Sequence, residues 1–132
     1  MTQAAIDNTV KLLASIGGSL NALIHLPALA NELGLECTWT QVAETTSHTP
    51  VVCNVVPNGD ISCVNLYKAG GIPAVLKTIE GDLDTSVMTV TGKTLEENLS
   101  GKIHIDRDVI RTQDDPASVA NGIQVLYGNL AP

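Results

Sequence analysis

The sequence predicts an α/β chain, on three observations. Residues 3–15 and 20–33 repeat apolar side chains at helical spacing. Apolar, largely β-branched runs at 51–56, 87–90 and 123–127 are bounded by turn residues. Helical and extended pieces alternate along the chain instead of segregating. The 132 residues are 44% hydrophobic and 16% charged, which is one globular domain's worth of chain and not a disordered composition.

Element by element, Ile6, Val10 and Leu13 share a face of the first helix, which Gly17-Gly18 ends. Ser19 is expected to cap a second helix, and Gly34 to stop it. Leu20, Leu23, Ile24, Leu26, Leu29 and Leu33 surround that helix, which predicts burial on several sides. Pro27 inside it predicts a kink or a boundary. Residues 40–46 read as a short helical turn. The 51–56 run reads as a strand stopped by Pro57-Asn58-Gly59-Asp60. Residues 66–69 form a short element broken by Gly70-Gly71, and Pro73 fits the first turn of a helix reaching Ile79. Residues 87–90 read as a strand. Thr94 with Glu97 makes a capping box for a helix to Leu99. Val109-Ile110 is a brief extended piece, and 123–127 the last strand.

Charge and composition narrow the function. Seven basic against fourteen acidic residues leave a net charge of −7, and only Trp39, Tyr67 and Tyr127 are aromatic. Nucleic-acid binding is excluded, since it needs clustered cations and stacking rings. No apolar run reaches the ~18 residues of a membrane span. Met1–Asp7 lacks a basic stretch leading into an apolar one, so the chain is expected to be cytoplasmic. Cys37, Cys53 and Cys63 contain no CxxC and read as reduced, small hydrophobes.

Most single motifs resolve blandly. Gly92-Lys93-Thr94 imitates a phosphate loop, but Val87 stands where that loop needs its first glycine. His25, His48 and His104 have no metal-ligand spacing. Asp106, Asp108, Asp114 and Asp115 lack the pattern of a calcium loop and read as a solvated face. Asn98-Leu99-Ser100 is a glycosylation sequon that has meaning only in a secreted protein. The exception is Gly17-Gly18-Ser19-Leu20-Asn21, a glycine turn opening a helix. Free N–H groups there are expected to favour a carboxylate or phosphate. Ser19, Asn21 and His25 are the candidate substrate-binding residues.

Taken together, several segments resemble one family. Residues 17–26, Gly-Gly-Ser-Leu-Asn-Ala-Leu-Ile-His-Leu, resemble the GGSTNA-x-x-HL signature of the dihydroxy-acid dehydratase / phosphogluconate dehydratase family. Residues 66–73 resemble its LYEAGGIP, residues 89–98 its TVTGKTL-x-EN, residues 109–111 its VIR and residues 128–132 its GNLAP, all in the right order. Departures are Leu20 in place of the signature's threonine, Asn65 in place of an acidic residue, and Thr112 in place of a proline.

The resemblance implies a hydro-lyase that turns 2,3-dihydroxy acids or sugar acids into 2-keto acids. In the full-length family an iron–sulfur cluster activates the leaving hydroxyl and Mg²⁺ holds the substrate. Family chains are several times longer. Their cluster cysteines and magnesium ligands lie upstream of the glycine signature, and the base serine lies downstream of GNLAP. No catalytic, metal or cofactor residue is therefore expected in this chain, which is expected to be inactive alone. The implied placement is a central segment. Residues 1–108 would end the N-terminal α/β domain, and 109–132 would cross into the first strand of a β-rich C-terminal domain. Expected partners are a small carboxylic acid and either a second copy of the chain or the rest of a dehydratase. The alternatives are a non-catalytic interaction module and a small-anion binder.

Overall fold

The structure, a computed structural model, describes residues 1–118 and 122–130. Its elements are helical: α1 (Gln3–Ser15), α2 (Ala22–Glu32), α3 (Trp39–His48), α4 (Cys63–Lys68), α5 (Gly71–Thr78), a single 3₁₀ turn (Glu80–Asp82) and α6 (Leu95–Leu99). The α/β expectation is corrected at this point. Among the described residues there is no sheet, only the isolated bridges Val51–Ser118, Val55–Ile61 and Met88–Thr94. No helix among them is long and apolar enough to cross a membrane.

Local chemistry explains the helix ends. Thr2 Oγ accepts from the Ala5 N–H and starts α1. At its far end Gly18 N–H donates to Leu13 O at 2.9 Å and Gly17 N–H to Ala14 O at 3.2 Å. This pair of bonds needs a left-handed residue at Gly17, whose φ is +59°. α2 closes in the same way on Gly34, with Leu35 N–H on Ala30 O at 2.8 Å. Pro27 neither ends nor bounds α2, which runs through it. α3 and α6 both open with complete capping boxes, Thr38 with Gln41 and Thr94 with Glu97.

Two apolar clusters flank α1, which packs on α2, α3 and α5. The first gathers Val52, Cys53 and Val55 with Leu66, Val75, Ile79 and Ile110, with Leu12 and Ile16 of the α1 region packed against it. The second joins Val10 and Leu23 to Val42 and Ile123. The expected strand 51–56 buries Val51, Val52, Cys53 and Val55, leaves Val56 exposed, and joins no ladder. Its Val52 N–H donates to Ser15 O at 2.8 Å, and Val52 O accepts from Arg111 N–H at 2.8 Å. Residues 123–127 likewise form no strand. The 87–90 segment folds back on itself, with Thr89 N–H on Lys93 O at 2.9 Å and Leu95 N–H on Val87 O at 2.9 Å.

Side-chain amides then tie distant loops to this frame. Gln3 on α1 donates to Glu36 O (2.8 Å) and accepts from Glu36 N–H (2.9 Å). The buried Asn8 does the same to Asp84, at 2.8 and 3.0 Å. Next to that clamp, the Ser86 hydroxyl and then its backbone N–H hold the Asp84 carboxyl below the usual carboxylate range. Asn58 Nδ2 donates to both Gly17 O (2.6 Å) and Gly122 O (3.2 Å). A Cβ on Gly122 would lie 2.6 Å from Gly17 Cα, so these segments cross in contact and Asn58 clasps the crossing. Asn58→Ala strands the Gly17 carbonyl, which shares this part-buried bond, and is expected to cost about 1–3 kcal/mol. A lowered urea midpoint with unchanged slope would confirm it, and a midpoint equal to wild type would refute the clasp.

Candidate functional site

The glycine signature is built first as a helix terminator. Gly17 closes α1, and a Cβ on Gly18 would press on the end of the Leu13 side chain, 2.4 Å from Leu13 Cδ1. The chain then enters α2 through a tight lead-in. Ala22 N–H bonds Ser19 O at 3.1 Å, Leu23 N–H bonds Leu20 O at 3.0 Å and Ile24 N–H bonds Asn21 O at 3.1 Å. The capping expectation for Ser19 is corrected: the N-cap position is Asn21, in the helical region, with no side-chain cap bond. Ser19 Oγ instead accepts from Asn21 N–H at 3.3 Å. The N–H groups of residues 21–24 are thus already satisfied, that of Asn21 by the Ser19 hydroxyl and those of residues 22–24 by carbonyls three residues back. An anion here would have to be held by side chains.

Those side chains are available. Ser19, Asn21 and His25 are all exposed. Asn21 and His25 lie one helical turn apart and so share a face. Ser19 uses an oxygen lone pair on Asn21 and keeps its O–H free to donate. Together they offer hydroxyl, amide and imidazole groups along a little under two turns of chain.

The thiols do not meet. Cys53 is buried in the first cluster, Cys37 packs against the second, and Cys63 is exposed at the start of α4. Burial pushes the Cys53 thiol up. Burial first, and then the charge of Asp7, do the same to Cys37. A metal takes the thiolate, so both shifts oppose ligation. Among the described residues no three His, Cys, Asp or Glu side chains converge on a point that could hold a metal. The described residues therefore bring together no donor set for an iron–sulfur cluster or a magnesium ion.

Other motifs serve the fold. Thr94 spends its hydroxyl and backbone capping α6, so the phosphate-loop imitation is a helix start. Asn98 Nδ2 donates to Thr89 Oγ1 (2.7 Å) and Thr91 Oγ1 (3.0 Å), pinning the loop that leads into α6. His48 Nδ1 bonds Ser47 Oγ and Glu44 O, both at 2.9 Å. In the acidic stretch Asp108 and Asp114 are exposed and Asp115 pairs with Arg111. Open clefts of about 320 and 360 Å³ lie elsewhere. Lys11, Glu44, His48 and Asp82 line one, and Asp60, Asp108 and Arg111 the other; neither includes Ser19, Asn21 or His25.

Sequence reasoning missed Asn58, the residue that fixes the turn before Ser19. The Pro-Asn-Gly motif gave its turn but not the two carbonyls it reaches. It also missed the Thr38/Gln41 capping box, although that spacing stands in the sequence. Ala131 and Pro132, the end of the GNLAP-like segment, lie outside the described residues.

Comparison with known proteins extends the picture over the whole chain. The family profile described as dihydroxy-acid/6-phosphogluconate dehydratase N-terminal matches residues 1–98. The dihydroxy-acid dehydratase of Methanosphaera stadtmanae is 41% identical over 133 residues, covering 100% of this chain and 24% of the relative. That of Moorella thermoacetica is 42% identical over 134 residues, with the same coverage. That of Nitratidesulfovibrio vulgaris is 45% identical over 136 residues, again 100% and 24%. The chain thus spans about a quarter of the length of the curated relatives it matches.

Proposed function

The chain belongs to the dihydroxy-acid/6-phosphogluconate dehydratase family, and from that membership we propose that it supplies part of the scaffold of a hydro-lyase. The reaction in this reading removes water from a 2,3-dihydroxy acid or a sugar acid and leaves a 2-keto acid. The observation that carries it is similarity to dihydroxy-acid dehydratases along the entire chain, not over one motif. Ser19, Asn21 and His25 act in it as donors to the carboxylate and hydroxyl groups of the small acid, through charge-assisted hydrogen bonds. The iron–sulfur cluster and Mg²⁺ belong to the part of a dehydratase outside the matched quarter. Residues 1–108 close the N-terminal domain and 109–132 cross toward the next. A cytoplasmic setting goes with this reading, since Cys37, Cys53 and Cys63 are all free thiols and a reducing compartment keeps them so.

A chimera tests the proposal. This chain replaces the matching 134 residues of the Moorella thermoacetica dehydratase, and dehydration of 2,3-dihydroxyisovalerate and of gluconate is followed after iron and sulfide reconstitution. Turnover of either acid is expected. Asn21→Ala and His25→Ala in the chimera should each raise KM, about tenfold for the loss of one charge-assisted bond. A folded, reconstituted chimera without activity on either acid would overturn the scaffold reading. Unchanged KM in both variants would remove the substrate role of α2.

A further inference from the structure

The candidate donors sit on two differently anchored pieces of chain. His25 lies in α2. The sequence predicts that helix buried on several sides, but it buries only Leu23 and Ala30, and Leu23 joins the second cluster. Ser19 lies ahead of that anchor, in the exposed lead-in, where the backbone N–H groups of residues 22–25 all return to residues 19–21. These bonds shape the lead-in without tying it to the rest of the molecule. The tie is the peptide unit between Gly17 and Gly18. Its N–H, on Gly18, donates to Leu13 O at 2.9 Å, and its carbonyl, on Gly17, accepts from Asn58 Nδ2 at 2.6 Å. A peptide unit is planar, so bonds at its two ends fix its orientation. The two glycines around it have the freest backbones, so with one bond gone the unit can turn and carry the lead-in with it.

Asn58 is itself presented firmly. Val55 N–H donates to Ile16 O at 3.2 Å, and the N–H groups of Asn58 and Gly59 both donate to Val55 O at 3.1 Å. We propose that Asn58 is a positioning residue for substrate binding: by holding the Gly17–Gly18 peptide it sets where the Ser19 hydroxyl is offered to the small acid. The inference rests on the donor role given to Ser19 above and adds the residue that controls it. It also divides the donors. Ser19 depends on Asn58, whereas His25, anchored through Leu23, does not.

The test is made in the chimera, at a temperature where every variant is folded, and it reads KM and kcat separately. Asn58→Ala is expected to raise KM about five- to tenfold with kcat unchanged, the mark of lost binding. Asn58→Asp keeps the shape and loses both N–H donors, so it should do the same, and it serves if Asn58→Ala does not fold. In a Ser19→Ala background Asn58→Ala should add nothing to KM, because both changes remove one contact. In a His25→Ala background the two rises should multiply. Gln3→Ala is the control for stability alone. It breaks a different amide clasp, on Glu36 at the far end of α1, and should lower the urea midpoint while leaving KM unmoved. The inference is overturned by an unmoved KM in both Asn58 variants, by a rise that Gln3→Ala reproduces, or by a rise that multiplies with that of Ser19→Ala. If Ser19→Ala raises KM and the Asn58 variants do not, this inference alone falls. If Ser19→Ala itself leaves KM unmoved, or the chimera turns over neither acid, the donor role and this inference fall together.

Discussion

Gly70→Ala is expected to destabilise the chain by about 4 kcal/mol, a large share of the 5–15 kcal/mol that holds a typical domain. Gly70 sits between α4 and α5 at φ +120°, a backbone conformation that side chains rarely adopt. A Cβ there would meet His104 O at 2.0 Å and Ala74 Cβ at 2.7 Å. The carbonyl cannot simply retreat. Two residues on, Asp106 N–H is bonded to Ala69 O at 2.9 Å, which ties that stretch to the end of α4. Ala74 is fully buried and has nowhere to go. Backbone strain of about 1–3 kcal/mol and overpacking of about 1–3 kcal/mol therefore add at one position. Gly101→Ala is the comparison, because its Cβ would have nothing within 4 Å. It should stay within about 0.5 kcal/mol of wild type. Urea melts of the two variants read the difference, and a Gly70→Ala midpoint near wild type would contradict the packing described.

Ile110→Ala should cost about 3 kcal/mol. Ile110 is 0% exposed and belongs to the first cluster with Val52 and Ile79. Truncating a fully buried isoleucine removes its transfer energy and leaves a cavity, about 2–5 kcal/mol together. The result matters because Ile110 lies after residue 98, where the family profile stops. A full-sized loss means that the residues after it help hold the same core. Val90→Ala, at a side chain wholly in water, should leave the midpoint unmoved. If the two variants melt alike, the later residues contribute nothing to the core.

What the sequence made legible was local. The Ile6–Val10–Leu13 spacing and the glycine pair give α1 with its ends. Thr94 and Glu97 give the α6 cap, since both partners lie within four residues. The strands failed for one physical reason. A run such as Val51-Val52-Cys53 reports burial but does not name the partner that satisfies its backbone. Here that partner is the end of α1 and the 111–117 stretch, so no ladder forms. The amide clasps of Gln3, Asn8 and Asn58 were invisible because each joins residues 33 to 76 positions apart. At the candidate site the residue types were readable. The satisfied N–H groups ahead of them were not, since they depend on the dihedral angles of the lead-in turn.

Asn58 carries one further consequence, for how this protein ages. Asparagine followed by glycine is the pair most open to succinimide closure and hydrolysis to isoaspartate and aspartate. Gly59 cannot be exchanged to prevent it, because a Cβ there would sit 2.2 Å from Asn54 O. In the folded chain the reacting groups are restrained. The amide is held on two carbonyls, and Gly59 N–H is bonded to Val55 O at 3.1 Å. Damage is therefore expected to be slower in the folded chain than in the unfolded one, which peptide mapping of native and urea-unfolded samples would check. Each molecule so altered points a carboxylate at two carbonyl oxygens and loses its clasp, so shelf life and stability decline together.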